Sequence, residues 1–260
     1  MKIKFIYILF TILLCLNTVN ANKLLDIKKS GILTVGIQND LKPLTFLNKK
    51  KERIGFDIDI IKYIANNLNL KLNFVILNSS ELISYVENEN VDLSISAITH
   101  KEVEESNVDF SITYLYDGQI LMTNKSSKYK NYKNLAGKNV GALNESNCGK
   151  IFEVISPSTT IIYFNNILEI KDALINNEID AATGKVTLLY SILFNSKTKL
   201  KLIGRKFTIE PYGIVLPEDE SKFRDAINLS IQKLVKDKTY NKIYKKWFHK
   251  YPSRRPVLWP

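Results

Sequence analysis

Short apolar runs alternate with amphipathic stretches along the first half of the chain. Ile32–Ile37 has the pattern of a buried strand, and the stretch that follows Asp57 has helical spacing, with Asp57 suited to be its N-cap. The apolar face of this helix consists of Ile60, Ile61, Ile64 and Leu68. Leu72–Leu77 and Val91–Ile95 are predicted strands, and Ser80 can cap a helix between them. This order indicates an α/β unit with a mainly parallel sheet.

The second half of the chain shows the same alternation. The predicted strands are Gln119–Thr123, Val140–Leu143, Thr160–Phe164 and Ile179–Ala182, and the predicted helices are Cys148–Ile155, Leu168–Ile175 and Leu188–Leu193. An extended segment at Glu210–Val215 precedes two further helices, Phe223–Val235 and Tyr240–Phe248. The pattern therefore predicts a second α/β unit and a helical C-terminal part.

Two segments of these units resemble each other in sequence. Val86–Leu93 (VENENVDL) corresponds to Leu174–Ala181 (LINNEIDA), 88 residues later. Leu33–Gly36 and Lys138–Gly141 match upstream of them. A chain that builds the same unit twice is expected to fold into two similar lobes with a cleft between them.

The N-terminus has the pattern of a secretory signal. Lys2 and Lys4 precede an apolar run at Phe5–Leu16, and Val19–Ala21 is a small-residue cleavage site. The run is shorter than the roughly 20 residues of a membrane span, although a retained anchor is the competing interpretation. We expect a signal peptide at residues 1–21 and a periplasmic mature chain. Cys148 is then its one cysteine, which excludes an intramolecular disulfide.

The net charge of +11 becomes +9 when Lys2 and Lys4 are removed. A basic balance can indicate nucleic acid, an anionic membrane or an acidic ligand. Here the lysines are scattered, and they form no basic stripe with interleaved aromatic residues. We therefore expect no nucleic-acid partner.

Ligands of open α/β sheets bind beyond the carboxyl ends of the strands. In the two predicted units this rule selects four loops, at Ile37–Leu44, Ser94–Lys101, Leu143–Cys148 and Thr183–Thr187. They offer hydroxyl groups and charges, namely Ser94, Ser96, Thr99, Ser146, Lys101, Glu104, Glu145 and Lys185. Such groups suit the recognition of a small polar molecule.

The same loops lack a catalytic pattern. His100 and His249 are far apart and have no neighbouring ligands at metal spacing. No nucleophile elbow, phosphate loop or dinucleotide fingerprint occurs in the sequence. Cys148 is more readily explained as a buried thiol than as a nucleophile. We expect neither a cofactor nor enzymatic activity.

Motifs from Leu33 to Phe248 resemble the family 3 extracellular solute-binding proteins, the periplasmic receptors of polar amino acid ABC importers. They include Gly55-Phe-Asp-Ile-Asp59, Val108-Asp-Phe-Ser111, Leu135-Ala-Gly-Lys-Asn-Val-Gly141, Pro211-Tyr-Gly-Ile214 and Thr239-Tyr-Asn-Lys-Ile-Tyr-Lys-Lys-Trp-Phe248. The resemblance implies a type II fold, in which two mainly parallel sheets are joined by two hinge strands and close on ligand.

By this resemblance, the crossovers between lobes lie near Tyr114–Asp117 and Phe207–Ile209. Lobe 1 would comprise residues 22–115 and 210–249, lobe 2 residues 116–209, and the C-terminal tail residues 250–260.

The ligand residues that the resemblance implies fit this chain only in part. Thr99 and Ser146 carry hydroxyl groups where the family binds ligand, and Ser96 and Ala97 precede Thr99 in the same loop. The aromatic residues that sandwich the ligand fall on Leu41 and Ser79, and Glu145 replaces a glycine beside Ser146.

Two charged positions depart from the family pattern. The arginine that binds the ligand carboxylate falls on Glu104, and the aspartate that accepts the ammonium falls on Lys185. A carboxylate facing Glu104 would be repelled and would lose a bidentate partner. Three explanations are compatible with these charges: a ligand bound in the inverted orientation, a different small molecule such as an anion, or a Glu104–Lys185 ion pair across the lobes. Alternatively, the correspondence is shifted by a turn and both side chains face solvent.

These observations predict a monomeric periplasmic binding protein that delivers a small polar solute to an inner-membrane ABC permease. A receptor that signals occupancy to a membrane sensor is the first alternative. The second is a periplasmic enzyme similar to cyclohexadienyl dehydratase, with Glu104 or Glu145 as an acid and Lys185 as an anion anchor.

Overall fold

The computed structural model describes residues 22–100, 107–144, 146–194, 199–249 and 252–256. The predicted signal peptide and the predicted ligand residues Glu104 and Glu145 lie outside these ranges. In the described part of the chain, no helix has both the length and the hydrophobicity of a membrane span.

Strands and helices alternate through most of the described chain. The strands are β1 (Ile32–Ile37), β2 (Phe46–Leu47), β3 (Arg53–Ile54), β4 (Lys71–Ile76), β5 (Leu93–Ser94), β6 (Val108–Phe110), β7 (Leu115–Asp117), β8 (Gln119–Asn124), β9 (Asn139–Leu143), β10 (Thr160–Phe164), β11 (Ala181–Lys185), β12 (Leu200–Ile203), β13 (Glu210–Tyr212) and β14 (Val215–Pro217). The helices are α1 (Lys23–Ser30), α2 (Phe56–Leu68), α3 (Glu81–Glu87), α4 (Cys148–Ile155), α5 (Ile167–Ile175), α6 (Val186–Phe194), α7 (Ser221–Lys236) and α8 (Thr239–Phe248). A short 3₁₀ helix spans Tyr132–Leu135.

Two five-stranded sheets define the two lobes. The sheet of lobe 1 has the order β4-β1-β5-β14-β6, and that of lobe 2 has the order β10-β9-β11-β8-β12. In each sheet a single strand, β14 or β8, runs against the other four. The predicted mainly parallel sheets are therefore present in both lobes.

Each lobe holds one strand of its sheet, β1 or β9, by the same kind of hydrogen bond. Asp92 Oδ2 accepts a hydrogen bond of 2.8 Å from the N–H of Thr34, the third residue of β1, and Asp180 Oδ2 accepts one of 3.0 Å from the N–H of Asn139, the first residue of β9. The repeated sequence thus builds the same backbone clamp twice. The turn that precedes the aspartate is repeated as well, since Glu89 has a φ of 55° and Asn177 a φ of 60°.

An antiparallel pair of short strands, β7 and β13, lies outside both large sheets and joins the lobes. Its register places Glu210 opposite Asp117 and Tyr212 opposite Leu115. β7 lies within the segment predicted as the first crossover, and β13 begins just after the segment predicted as the second, Phe207–Ile209. The lobe boundaries given above remain a prediction.

Gly118 alone separates the hinge strand β7 from β8 of lobe 2. Its φ is 149°, and a Cβ atom there would lie 2.1 Å from the Thr208 carbonyl oxygen. The next residue is held by a bond of 2.7 Å from the Gln119 N–H to Thr208 Oγ1. The hinge is therefore packed tightly against the segment that leads into β13.

Asp57 is not the N-cap that its sequence position suggests. Gly55 is the N-cap of α2 with a φ of 145°, so Asp57 is the second helical residue and is completely buried. Half a turn further on, Asp59 Oδ2 accepts hydrogen bonds from Lys246 Nζ and Trp247 Nε1 of α8. Both carboxylates therefore face packed elements instead of water. Ser80 does occupy the N-cap position of α3, but its side chain makes no cap hydrogen bond.

Candidate functional site

The Ser96–His100 loop, which follows β5, lies against the hinge strand β13. Thr99 forms an isolated β-bridge with Tyr212, and the His100 N–H donates to the Pro211 carbonyl oxygen at 2.9 Å. The Gly213 N–H in turn donates to the Ile98 carbonyl oxygen at 3.1 Å. These backbone bonds fix the predicted ligand residue Thr99 beside the hinge.

Ser96 and Ala97 have different roles in this loop. Ser96 is buried, and its Oγ accepts a hydrogen bond of 3.2 Å from the Gln38 N–H at the end of β1. Gln38 Nε2 also donates to the Ser96 carbonyl oxygen. Ala97 is half-buried with a φ of 54°, so the chain turns sharply there. Ser96 therefore ties the loop to β1, a role that its hydroxyl group alone does not reveal.

Ser146 lies just before α4, the first helix after β9. Its Oγ donates to the Leu143 carbonyl oxygen at 3.0 Å, which shapes the turn. Gln119 Nε2 donates at 2.6 Å to both the Cys148 carbonyl oxygen and Thr183 Oγ1, so β8 positions the start of the helix. The free N–H groups and the dipole of a helix N-terminus attract anions. Burial raises the pKa of the Cys148 thiol, which leaves it protonated and poorly nucleophilic.

Lys185 is the charged residue of the loop that the sequence predicts at Thr183–Thr187, but in the structure it is the last residue of strand β11. The sequence prediction ended this strand at Ala182, whereas pairing of Lys185 with Gln119 extends it by three residues. The predicted loop at Thr183–Thr187 is therefore wrong, because β11 leads directly into α6. Lys185 consequently stands on a rigid strand end.

An ion pair joins Lys185 to the hinge strand. Lys185 Nζ lies 2.6 Å from Glu210 Oε2 and 5.7 Å from the centre of the Tyr212 ring. The Lys185 side chain is 37% exposed and that of Glu210 is 21% exposed, so solvent reaches both charges. The described partner of Lys185 is thus Glu210, while the considered pair with Glu104 lies outside the described residues.

A second carboxyl group, Asp117, is buried beneath this pair. Thr187 Oγ1 and the Tyr212 hydroxyl donate hydrogen bonds to Asp117 Oδ2. Burial raises the pKa of Asp117 because these bonds replace only part of its hydration, and the charge of Glu210 acts in the same direction. The hinge side of the site is therefore acidic.

The structure brings three predicted site residues together and leaves two apart. Thr99, Ser146 and Lys185 meet around Tyr212 and the start of α4. Leu41 packs against the core of lobe 1 and bridges to Thr45, and Ser79 is exposed. These surroundings do not identify Leu41 or Ser79 as a ligand residue, and the ligand role of both remains a prediction.

Sequence reasoning missed Glu210, Tyr212 and Gln38. Glu210 and Tyr212 flank the proline of the recognised Pro-Tyr-Gly motif, which the sequence analysis used only to identify the fold. A charged residue at a predicted hinge was the available signal for Glu210. Gln38 carried no comparable signal, since its role depends on the neighbouring strand.

A depression of about 770 Å³ lies at the opposite edge of lobe 1, where Lys23 bridges Asp92 and Glu89. It faces the amino ends of the parallel strands, which is the wrong edge for a ligand site of this fold. Within the described ranges, no group of three or more potential metal ligands occurs.

Known proteins share this architecture. A family model described as bacterial extracellular solute-binding proteins, family 3, matches residues 33–250. The ABC transporter glutamine-binding protein GlnH of Bacillus subtilis (strain 168) is 32% identical, over 87% of this chain and 85% of that protein. The glutamine-binding protein of Geobacillus stearothermophilus is 31% identical, over 74% and 75% respectively.

A solved structure agrees with the sequence relatives. The ancestral cationic amino acid solute binding protein AncCDT-1 has a TM-score of 0.78 at 27% identity, with 86% of this chain and 99% of that chain covered. The predicted two-lobed α/β fold is therefore confirmed.

Proposed function

Because the chain belongs to family 3 of the bacterial extracellular solute-binding proteins, we propose that it captures a small polar or charged, amino-acid-like solute between its lobes. It then delivers this solute to an ABC importer of the inner membrane. The mature chain acts in the periplasm as a monomer, without a cofactor and without catalysis.

The observation that carries this proposal is the charged cluster at the hinge. Lys185, Glu210 and the Thr99 loop converge there with the start of α4. An ion pair that is partly open to water can exchange its partner for a ligand charge at a lower cost than a fully buried pair. The relatives named for glutamine and cationic amino acids support a solute of the same chemical class.

The two alternatives receive less support. A sensory receptor uses the same clamp, so the structure favours neither role over the other, and the named ABC transporter relative supports import. The dehydratase alternative depends on Glu104, Glu145 and Lys185. The first two lie outside the described residues, and Lys185 is engaged by Glu210.

Thermal unfolding of the mature protein with individual solutes tests the proposal. The panel comprises the twenty L-amino acids, small carboxylates and small amines, at matched ionic strength. A solute at 100 times its Kd adds about 2.7 kcal/mol to the free energy of unfolding. For a chain of this size that corresponds to a rise in Tm of about 5–10 °C.

A matched pair of lysine variants tests whether the solute that raises Tm binds at Lys185. Lys185→Met should abolish the rise in Tm, whereas Lys171→Met, at an exposed pair with Asp172 on α5, should preserve it. A panel in which no solute raises Tm would contradict the proposed function.

A further inference from the structure

We propose that one flank of lobe 2 is a docking surface for an anionic phospholipid membrane. This basic face consists of six exposed cations, which are Lys125, Lys128, Lys130, Lys133, Lys199 and Arg205. None of the six belongs to the cluster at the hinge, so the inference stands independently of the proposed function.

The basic face comes from two segments of the chain that contain no acidic residue. Residues 124–144 hold five lysines, and residues 195–209 hold four lysines and one arginine, without an aspartate or glutamate in either. Tyr129 and Tyr132 stand between the lysines of the first segment. Because the two segments are far apart in the chain, the sequence pattern did not predict a common basic surface.

The fold joins the two segments along β12, the edge strand of the lobe 2 sheet. The Lys125 N–H donates a hydrogen bond to the Lys199 carbonyl oxygen, and Lys201 Nζ donates to the Lys125 carbonyl oxygen at 3.1 Å. Further along, a Cβ atom on Gly204 would lie 3.6 Å from Asn131 Cα, so the two backbones touch there as well. The cations of both segments therefore share one flank of the lobe.

The charge of the basic face is not neutralised by the protein. In the ranges that the structure covers, none of the six cations forms an ion pair with an aspartate or glutamate. Asp180, beside Tyr129, already accepts the hydrogen bonds of the lobe 2 clamp. A depression of about 460 Å³ between the segments is lined by Lys130, Lys133 and Arg205 and by no carboxylate. Such a concentration of positive charge attracts anions, and the depression has room for a phosphate-bearing head group.

The chemistry of the basic face fits a lipid surface better than a protein partner. Five of the six cations are lysines, which act as flexible point charges, whereas arginine is the usual residue of fitted ion pairs between proteins. In the described residues 124–144 and 199–207, Tyr132 is the only large hydrophobic residue that is exposed, so the apolar core of a protein interface is missing. Tyrosine is instead typical of the boundary between lipid and water. The partner is therefore a diffuse layer of anionic head groups.

Sedimentation of the mature protein with phospholipid vesicles tests the proposal. Residues 1–21 are omitted, because their apolar run would insert into lipid by itself. The protein should bind vesicles of equal parts phosphatidylglycerol and phosphatidylcholine and stay in solution with phosphatidylcholine alone. Binding should fall about tenfold or more between about 0.1 M and about 1 M salt, since the screening length shortens from about 10 Å to about 3 Å. Equal binding to both kinds of vesicle, or binding to neither, would overturn the proposal.

Two triple variants locate the binding surface. The first changes Lys130, Lys133 and Arg205 to glutamine, and the control changes the exposed lysines 49–51, between β2 and β3, to glutamine. Each basic residue at an anionic membrane strengthens binding about fivefold, so the first variant should bind about 100-fold more weakly. The control has the same net charge but should lose no more than about threefold, because charges far from the membrane are screened. Equal losses would show that overall charge drives binding, and would overturn the basic face.

Circular dichroism and the Tm without vesicles check that each variant folds. If the first triple variant does not fold, Lys133→Gln alone decides, with an expected loss of about fivefold against no loss for Lys50→Gln. Equal affinities of these two single variants would contradict the assignment.

Two soluble anions distinguish the membrane from other partners. Inorganic phosphate at matched ionic strength should leave the protein on the vesicles, because a single ion cannot replace many head groups. Release by phosphate would reduce the basic face to a site for the free ion and overturn the docking surface. Capture by immobilised poly-L-glutamate without binding to vesicles would identify an acidic polypeptide as the partner and overturn the membrane assignment.

Discussion

At the scale of single residues, Asp57 is the carboxyl group that burial perturbs most clearly. It is fully buried, and neither oxygen has a hydrogen-bond partner of ordinary geometry in the described part of the chain. The Tyr114 hydroxyl and the Ala97 N–H lie beside it and favour its ionised form, but they offset only part of the lost hydration. Loss of hydration therefore dominates and raises the pKa of Asp57 from 3.8 to about 7.

Asp57→Asn should change how stability depends on pH. Between about pH 4 and pH 7 the folded protein binds a proton at Asp57 that the unfolded chain does not, so stability falls as pH rises through this window and levels off above it. The difference between the two pKa values corresponds to at most about 4 kcal/mol. Guanidinium unfolding at pH 5, 6, 7 and 8 should show a smaller decline for Asp57→Asn. Parallel curves for both proteins would show that Asp57 is not the titrating group.

Single residues also mark where sequence reasoning failed. A carboxylate before an apolar helix is typical of an N-cap, but the N-cap is Gly55, with a φ of 145°, and the helix begins at Phe56, one residue before Asp57. Glu210 was missed because its importance comes from Lys185, 25 positions earlier, which the fold brings within 2.6 Å. Thr99 and Ser146 could be selected from the sequence as candidate ligand residues because they lie in loops at the carboxyl ends of predicted strands.

At the scale of elements, the duplicated clamps are the clearest structural repeat. Asp92 accepts a hydrogen bond from β1 and Asp180 accepts one from β9, each within its own lobe. Asp92 also pairs with Lys23 at 3.2 Å, and Asp180 accepts a bond of 2.7 Å from the Tyr129 hydroxyl. Each clamp thus joins a strand to a second segment of the same lobe.

Asp92→Ala and Asp180→Ala should each lower the free energy of unfolding by about 1–3 kcal/mol, because backbone N–H groups lose a charged acceptor. The two sites lie in different lobes, so the double variant should show the sum within about 0.5 kcal/mol. Chemical denaturation followed by circular dichroism measures this. Asp26→Ala, in an exposed pair with Lys29, should change stability by no more than about 0.5 kcal/mol. A strongly non-additive double variant would contradict independent clamps.

The elements were predicted well wherever apolar spacing decided them. β1, α4 and β10 have the bounds that the sequence predicts, since each is a continuous apolar or helical pattern. The end of β11 was missed because Thr-Gly-Lys is typical of a loop, and its strand conformation comes from pairing with β8. The two-residue strands β2 and β3 have too little pattern to be detected.

At the scale of the whole molecule, the lobes touch beyond the hinge strands. The Tyr190 hydroxyl of α6 donates to the Phe248 carbonyl oxygen of α8 at 3.0 Å, and the two rings pack edge to face at 5.4 Å. α6 packs on the sheet of lobe 2, whereas α8 packs against α2 and α7 of lobe 1. This contact therefore restrains the angle between the lobes.

Tyr190→Phe should shift the solute-free protein towards a more open arrangement, since it removes the hydrogen bond and keeps the ring. The bond contributes about 0.5–1.5 kcal/mol. Small-angle X-ray scattering should show a larger radius of gyration than the wild type without solute, and the same radius with a saturating amino acid. Tyr163→Phe, on β10 within lobe 2, is the control. An unchanged radius with a lowered Tm would show that the contact only stabilises the fold.

The conformation at Gly118 has a consequence for the rate at which the two lobes close. Because a single residue separates β7 from β8, this connection cannot lengthen. The next residue, Gln119, forms hydrogen bonds with Thr208, Cys148 and Thr183. A rotation of the hinge is therefore transmitted rigidly to the start of α4. Closure should then behave as a torsion about a few bonds in the microsecond-to-millisecond range, instead of a diffusive search by two loosely tethered bodies.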